Sequence, residues 1–300
     1  MKNINFVSKF NKANLISIII FVASVFFIIF KGLNYGIDFK GGTLIELRVD
    51  TSVKANLIRD SLISMNLGDI NVKKFGKDGD YLIKVEQKKS NNKNLIPEIK
   101  NKLKENLNSE VEFRRVENVG PKVSSELLES SIIAISCALI AMLFYIWIRF
   151  EWQFSLGSII ALFHDVVITL GIFSMLSLEI NLSIVAAVLT IVGYSMNDTV
   201  VIYDRIRENL LKFTRISISD IINLSINETL SRTIITSITT LLALFSIYIL
   251  GGEILRGFSF AMILGVIIGT YSSIFVASPI LKLFKVSYKT LEKEDEKILP

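Results

Sequence analysis

The chain has 300 residues, of which 51% are hydrophobic, with a mean hydropathy of +0.52 and a formal net charge of +5. This composition is too apolar for an ordinary soluble domain and indicates a membrane protein. The only cysteine is Cys137 and the only histidine is His164, which excludes a disulfide, a multi-histidine metal site and a haem ligand pair. We therefore expect no cofactor and no metal.

The first apolar run, Leu15 to Phe30, follows a basic tail at residues 1–14. A signal peptide begins in the same way, but no small-x-small cleavage site follows, so we expect an uncleaved first span over 15–35. A polar region then occupies 36–122. It predicts a small folded domain between the first and second spans.

Strand and helix patterns alternate within this polar region. Apolar and polar residues alternate as in strands at 43–49, 69–75, 81–87 and 110–116, and helical patterns occupy 52–66 and 94–107. The order β-α-β-β-α-β is typical of a ferredoxin-like α+β unit. A fold of this kind does not by itself indicate a function.

Five further apolar runs follow the polar region, and each is long enough to cross a hydrocarbon core of about 30 Å. They lie at about 131–148, 154–176, 182–202, 229–250 and 257–283. The sequence therefore predicts a polytopic α-helical membrane protein with six transmembrane helices. Five of these form a bundle at 123–284, and a charged tail follows at 285–300.

Basic residues are distributed unevenly among the segments that join the spans. They are frequent in both tails and in the link 203–228, whereas the loops 177–181 and 251–257 hold only Arg256. By the positive-inside rule both termini are cytoplasmic and residues 36–122 are translocated. Topology thus accounts for the basic charge, and we expect a lipid bilayer rather than a nucleic acid as partner.

The link 203–228 also contains apolar residues, among them Leu210, Ile221 and Ile222. They predict an amphipathic segment that lies on the membrane surface. Because the link joins the fourth and fifth spans on one side of the membrane, those two spans are antiparallel.

An acid lies inside the fourth apolar run. Asp198, next to Asn197, precedes the first solvated charge, Asp204, by six residues. At a rise of about 1.5 Å per residue, Asp198 is roughly 9 Å inside the boundary. A charge there costs at least a few kcal/mol, so an intramembrane acid indicates a function by default. The alternative is a helix end one turn deeper, with Asp198 near the headgroups.

Arg232 opens the fifth run, and Thr236 follows on the same helical face. Because the fourth and fifth spans are antiparallel, Asp198 and Arg232 can lie at similar depth and form a pair. The arginine favours the ionised acid and burial favours the neutral acid, so a carboxylate between these effects can load and release a proton. The alternative is a static ion pair that fixes helix packing.

His164 and Asp165 lie near the middle of the third run, about 16 Å from its start at Phe154. Adjacent residues on a helix point about 100° apart, so at most one of the two aligns with a given path. Asp165 is the better candidate for a proton relay. His164 is either a second relay group or a neutral packing residue bonded to a neighbouring helix.

Small residues recur at every fourth position of the sixth run: Ala261, Gly265, Gly269, Ser273 and Ala277. A small-xxx-small stripe allows another helix backbone to approach closely, so these positions predict helix packing. Pro279 near the end of the run is compatible with a kink. The sequence has no phosphate-binding loop, nucleophile elbow or zinc spacing, so we expect that the chain is not an enzyme.

Several stretches resemble the SecF family of protein-export membrane subunits, within the resistance-nodulation-division (RND) superfamily. They are GLNYGIDFKGGT (32–43), VENVGPKVSSELLESS (116–131), ALFHDVVITLGIF (161–173), IVGYSMNDTVVIYDRIREN (191–209), NETLSRTIITSITTLLAL (227–244) and GFSFAMILGVIIGTYSSIFVASPIL (257–281). The stretches fall in order along nearly the whole chain. Departures are modest, with Lys40 inside the first motif.

The resemblance implies one half of an RND-type bundle, with SecD supplying the other six spans in a heterodimer of the bacterial inner membrane. It implies work with the SecYEG channel, with YidC and with the SecA-driven machinery, using the proton motive force to draw preproteins outward after translocation has begun. The family motifs place Asp198 and Arg232 in the proton path, and Asp165 follows the family's His-Asp pair.

On this basis we expect protonation of Asp198 to weaken its hold on Arg232, so that the helices repack. Gly120 and Pro121 would act as a hinge beside the translocated domain at 36–122. Two other classes of function stay open. One is a non-conducting scaffold that holds SecD at the channel, and the other is an exporter subunit for lipids or small molecules.

Overall fold

The computed structural model describes residues 4–65, 70–86, 95–107, 109–288 and 290. The ends of some predicted elements, at 66–69 and 87–94, lie outside the described residues. The same holds for 291–300, which make up most of the predicted tail.

The elements follow one another in a simple order. The first long helix is α1 (Phe10–Phe30), after one 3-10 turn at Val7–Lys9. Next come β1 (Asn34–Tyr35), α2 (Ile37–Lys40), β2 (Gly42–Arg48), α3 (Ala55–Ile63), β3 (Ile70–Lys74), β4 (Asp80–Glu86), α4 (Leu95–Leu107) and β5 (Glu112–Val119). The chain continues with α5 (Pro121–Arg149), α6 (Trp152–Met175), β6 (Glu179–Ile180), α7 (Leu182–Lys212), α8 (Ile218–Leu250), α9 (Gly252–Ser272), a π-helical segment (Ser273–Ala277) and α10 (Ser278–Leu283).

Within the described residues, six helices are long and apolar enough to cross a membrane, which confirms the predicted number of spans. The helices α6, α7 and α9 are the most buried and form the centre of the bundle. The helices α1, α5 and α8 lie outside them and expose apolar side chains such as Ile19, Ile133 and Ile235. Apolar helices with this exposure belong in lipid or against another apolar surface.

A small α+β unit, which we call the sheet domain, spans residues 42–119. Its four strands are antiparallel in the order β3-β4-β2-β5, and α3 and α4 pack on one face. Apolar residues alternate along the strands because successive side chains point to opposite faces. Those on the helix-covered face, including Ile45, Leu47 and Ile83, are completely buried. The predicted order β-α-β-β-α-β is confirmed.

The first span ends earlier at its C-terminus than expected. The helix α1 stops at Phe30, and the predicted helical residues 31–35 include a strand instead. This strand, β1, pairs in parallel with β6, which lies in the loop between α6 and α7. Gly32 leaves α1 with a φ of +75°, which glycine adopts at no steric cost.

The link 203–228 differs from the prediction of a segment on the membrane surface. The helix α7 continues to Lys212 and α8 starts at Ile218, so only a short turn separates them. The apolar residues Leu210, Ile221 and Ile222 are 3%, 1% and 0% exposed, because the two helix extensions pack against each other. The amphipathic pattern therefore reflected helix–helix packing.

Candidate functional site

The site lies where α6, α7, α8 and α9 meet, and close packing of α7 against α9 creates it. A Cβ at Gly265 would lie 2.2 Å from Cγ1 of Ile191, and a Cβ at Gly269 would lie 2.9 Å from Cβ of Ser195. One turn further, the hydroxyls of Ser273 and Thr199 are 2.8 Å apart. The stripe with buried Ala261, Gly265, Gly269 and Ser273 therefore faces α7 and lets polar side chains on both helices meet.

Asp165 of α6 is the most enclosed acid of the bundle, with no exposed surface. Its Oδ2 accepts hydrogen bonds from Ser195 Oγ of α7 at 2.6 Å and from Ser272 Oγ of α9 at 2.7 Å. Hydroxyl donors at these distances make charge-assisted bonds to a carboxylate. Asp165 thus ties three helices together at one point.

His164 lies next to Asp165, where the three helices meet. Its Nδ1 lies 2.9 Å from Asp165 Oδ1, and its ring stacks on Phe21 of α1 with centroids 6.3 Å apart. When Nδ1 carries the hydrogen and donates to the carboxylate, Nε2 is an acceptor. Nε2 is buried and has no hydrogen-bond partner among the described residues. His164 Nε2 is therefore an acceptor without a partner among the described residues, and it lies beside a carboxylate that already accepts hydrogen bonds.

Asp198 of α7 lies one turn away from Ser195 and is 3% exposed. Its Oδ2 accepts a hydrogen bond from Thr270 Oγ1 of α9 at a long 3.4 Å. The same Thr270 hydroxyl lies 2.8 Å from Ser237 Oγ of α8. Since a hydroxyl has one hydrogen, Thr270 can donate to Asp198 only while it accepts from Ser237. A chain of hydroxyls thus links α8 and α9 to this acid.

The other predicted residues lie around Asp198 without binding it. Arg232 is exposed, and the described residues show no ion pair within 4.0 Å between it and Asp198. The buried face of α8 carries Thr233 and Ser237, and Arg232 points about 100° away from Thr233. Asn197 is also exposed, and the Thr236 hydroxyl donates to backbone carbonyls of its own helix. In the described structure, Asp198 and Arg232 are therefore not in ion-pair contact.

Gly120 and Pro121 lie where the sheet domain joins α5. Gly120 is the extended residue that caps the helix, and Pro121 occupies its first turn, where its missing N–H is not needed. A Cβ at Gly120 would meet open space, with no atom within 4 Å. On the other side of the junction, a Cβ at Gly41 would lie 3.4 Å from Pro121, so the space is open only around Gly120.

Five hydroxyl residues of the site were not singled out from the sequence: Ser195, Thr199, Ser237, Thr270 and Ser272. Serine and threonine are common in membrane helices because they bond to their own backbone, so they stand out little. A usable signal existed in the spacing, since Ser195 precedes Asp198 by three residues and shares its face. Among the described residues, no group of three His, Cys, Asp or Glu could hold a metal ion.

The arrangement holds two buried acids and connects each of them to hydroxyls on neighbouring helices. Hydroxyls both donate and accept, so they can pass a proton or reorient when an acid changes its charge. Neutralising Asp165 would weaken bonds that hold α7 and α9 against α6, and neutralising Asp198 would weaken one bond between α7 and α9.

Comparisons with known proteins cover nearly the whole chain. The family model for the protein export membrane protein SecD/SecF, C-terminal, matches residues 98–287, and that for the SecD/SecF GG motif matches residues 26–53. The chain is 47% identical over 282 residues to the protein translocase subunit SecF of Rickettsia rickettsii, covering 92% of this chain and 91% of that protein. It is 43% identical over 293 residues to the same subunit of Rhodobacter capsulatus, covering 93% and 88%.

Two solved structures share the fold. The crystal structure of SecDF, a translocon-associated membrane protein from Thermus thermophilus, is 35% identical with a TM-score of 0.83 and matches 94% of this chain. SecDF in its super-membrane-facing form is 34% identical with a TM-score of 0.72 and matches 99%. The chain spans 39% and 40% of those two longer SecDF chains. With its six spans, its sheet domain and these matches, the chain belongs to the SecF family of protein translocase subunits, which are multi-pass membrane proteins of protein transport.

Proposed function

We propose that this chain uses the proton motive force to assist protein export across the bacterial inner membrane, after the step that SecA drives. It does so as the smaller partner of a SecD-type chain, working at the SecYEG channel, with YidC nearby and translocating preproteins as cargo. Both termini are cytoplasmic in this proposal, and residues 36–122 are periplasmic. The exposed apolar faces of α1, α5 and α8 support a membrane partner of this kind.

The observation that carries the proposal is the pair of buried acids. Asp165 and Asp198 are 0% and 3% exposed on helices that are apolar enough to cross a membrane. Acids in such helices are costly, and they are found where protons or ions pass. Their hydroxyl partners lie on neighbouring helices, so a change of charge alters contacts between helices.

In the proposed relay, Asp198 loads and releases the proton. Arg232 lies on an adjacent helix without an ion pair to Asp198, so it acts as a nearby positive charge that favours the ionised form. Asp165, with His164 beside it, is a second proton-binding group, and it is held by more and shorter hydrogen bonds. Loss of charge at Asp198 frees Thr270, and α9 shifts against α7 and α8. Gly120 and Pro121 then allow the sheet domain to follow.

The test uses the full chain with its SecD-type partner, reconstituted in vesicles with the export machinery. Asp198→Asn keeps the side-chain shape and removes the proton site, so export stimulated by the proton gradient should fall to the level measured without a gradient. The matched control is Asp204→Asn, which makes the same change on the same helix at a side chain that is 44% exposed and pairs with Arg149. Exposed pairs contribute about 0–1 kcal/mol, so this control should behave as wild type.

The scaffold alternative makes a different prediction. If gradient-dependent export by Asp198→Asn equals that of the wild type in assembled complex, the proton proposal is wrong. Exchange of the charges, Asp198→Arg with Arg232→Asp, adds a second test. Recovery of export by the exchanged pair would support a scaffold, whereas a requirement for an acid at position 198 supports proton transfer.

A further inference from the structure

The loop between α6 and α7 makes a charged contact with the sheet domain. Lys84 of β4 forms an ion pair with Glu179 of β6, and the two side chains are 19% and 20% exposed. Lys84 points from the open face of the sheet, opposite the face that α3 and α4 cover. The pair lines a cavity of about 530 Å³ between that face and the ends of the membrane helices. It is therefore an ion pair that bridges two parts of the molecule.

Two further contacts hold the same loop. The Oδ2 of Asp38, in the short helix α2 before the sheet, accepts a hydrogen bond from the backbone N–H of Leu182 at 2.9 Å. This N–H belongs to the first turn of α7, where an acid also interacts favourably with the helix dipole. The parallel pairing of Asn34 with Glu179 adds backbone hydrogen bonds between β1 and β6. The start of α7 is thus fixed to the segment that leads into the sheet domain.

The position of the loop connects this contact to the acids. It joins the end of α6, which carries Asp165, to the start of α7, which carries Asp198. Leu182 and Asp198 are 16 residues apart on one helix, a distance of about 24 Å along its axis. Glu179 lies three residues before the start of α7, so a shift of this helix along its axis at Asp198 is passed toward Glu179.

We propose that Lys84 and Glu179 are positioning residues, through which movement of α6 and α7 reaches the sheet domain. The inference rests on the proposed function, because it names the contact that passes on the effect of proton transfer. The sheet domain is also held at its two ends, where the Gly32 carbonyl accepts a hydrogen bond from Ser174 at 2.6 Å and a Cβ at Gly41 would lie 3.4 Å from Pro121. The ion pair supplies a restraint near the middle of the sheet. When one charge is removed, the electrostatic attraction between the two side chains is lost, so this contact weakens.

The first experiment measures where the sheet domain lies. Spin labels are placed at Leu57→Cys of α3 and Met175→Cys of α6, both exposed, in a Cys137→Ser background of the full complex. Glu179→Gln should broaden the distance distribution between the labels, and the exchanged pair Lys84→Glu with Glu179→Lys should restore the narrow distribution. The control Asp78→Asn removes the exposed pair of Lys74 and Asp78, 3.7 Å apart on one hairpin, and should change nothing.

The second experiment measures coupling in vesicles. Glu179→Gln should leave proton flux within about twofold of wild type but reduce gradient-stimulated export severalfold, and the exchanged pair should recover most of the loss. A purely structural role would lower flux and export together. That result, or an unchanged distance distribution, would overturn the inference. If wild-type export does not depend on the gradient, the proposed function fails, while the distances still decide whether the pair positions the sheet domain.

Discussion

Two carboxylates lie inside the membrane-spanning bundle, and their surroundings differ. Asp165 is completely buried, and its oxygens have three side-chain partners at 2.6 to 2.9 Å. Asp198 is slightly exposed, and its one side-chain hydrogen bond in the described structure is the 3.4 Å contact from Thr270. The first acid is enclosed by partners on neighbouring helices, whereas the second is nearly unbound.

Under the proposed function, this difference in surroundings gives the two acids separate roles. Protonation of Asp165 would weaken several short bonds that join three helices, and each bond to a charged group contributes about 1.5–3 kcal/mol. Protonation of Asp198 would weaken one long bond. Under the proposed function, a change of charge at Asp198 therefore affects one weak bond between α7 and α9, whereas a change of charge at Asp165 affects bonds among three helices.

The largest expected effect comes from Gly269→Val, which disturbs both acids together. The new side chain would collide with Ser195, whose Cβ would lie only 2.9 Å from a Cβ at position 269, and would push α9 away from α7. We expect a loss of about 1–3 kcal/mol in the free energy of unfolding and loss of gradient-stimulated export. Thermal unfolding and export of the complex measure the two effects. Gly193→Ala is the control, because a Cβ there meets no atom within 4 Å.

Asp165→Asn should have the next largest effect, and mainly on stability. The amide keeps the shape but loses the charge that three partners share, so unfolding should become easier by roughly 1.5–3 kcal/mol. Asp198→Asn should change the unfolding midpoint far less. Chemical denaturation of the purified complex compares the two variants directly. Equal losses of stability would contradict the division between a firmly held acid and a loosely held acid.

Thr270→Val should have a moderate effect on Asp198, and it also removes the hydroxyl contact with Ser237 of α8. It removes the only hydroxyl bonded to that carboxylate in the described structure, yet valine has nearly the same shape. Because the bond is long, we expect the rate of gradient-driven export to change only about two- to tenfold, with little change in stability. Thr239→Val, on the exposed side of α8, is the matched control. A complete loss of export would mean that the hydroxyl itself carries the proton.

The smallest effect on transport should come from Asp80→Asn in the sheet domain. Asp80 is buried and held by Arg48 at 2.6 and 2.9 Å and by Arg114 at 3.3 Å. The hydrogen bond from Arg48 holds the pKa of this carboxyl below its ordinary value, against the opposite effect of burial. The ionised acid therefore stabilises the domain above about pH 4, and this contribution is lost as the pH falls through the lowered pKa.

Hydrogen exchange of the amides of β2 and β4 in the full chain checks this prediction. In the wild type, these amides should exchange faster below about pH 4. In Asp80→Asn they should already exchange faster than in the wild type at pH 7, and their exchange should change less when the pH falls below about 4. Export should stay unchanged in this variant. Asp60→Asn, at an exposed position of α3, is the control, and an equal effect of both substitutions would contradict the role of the arginine pairs.

The sequence predicted the features that depend on long patterns. Six apolar runs, the β-α-β-β-α-β order and two acids within apolar helices follow from hydropathy and periodicity. The orientation of Arg232 could not be predicted, because one residue changes the direction of a side chain by about 100°. The contact between β1 and β6 and the ion pair of Lys84 with Glu179 join residues far apart in the chain. They depend on tertiary packing that no local pattern encodes.

The π-helical segment at Ser273–Ala277 has a consequence for how long two helices can stay in contact. A four-residue repeat drifts about 40° per step around an α-helix, so the stripe that starts at Ala261 would turn away from α7 after a few steps. A π turn holds more residues than an α turn, so the residue that follows four positions later is rotated in the opposite direction, back toward α7. Ala277 consequently still faces α7, where its carbonyl accepts a hydrogen bond from Tyr203 at 3.0 Å. One wide turn thus corrects the helical phase, and two parallel helices remain matched over most of the membrane.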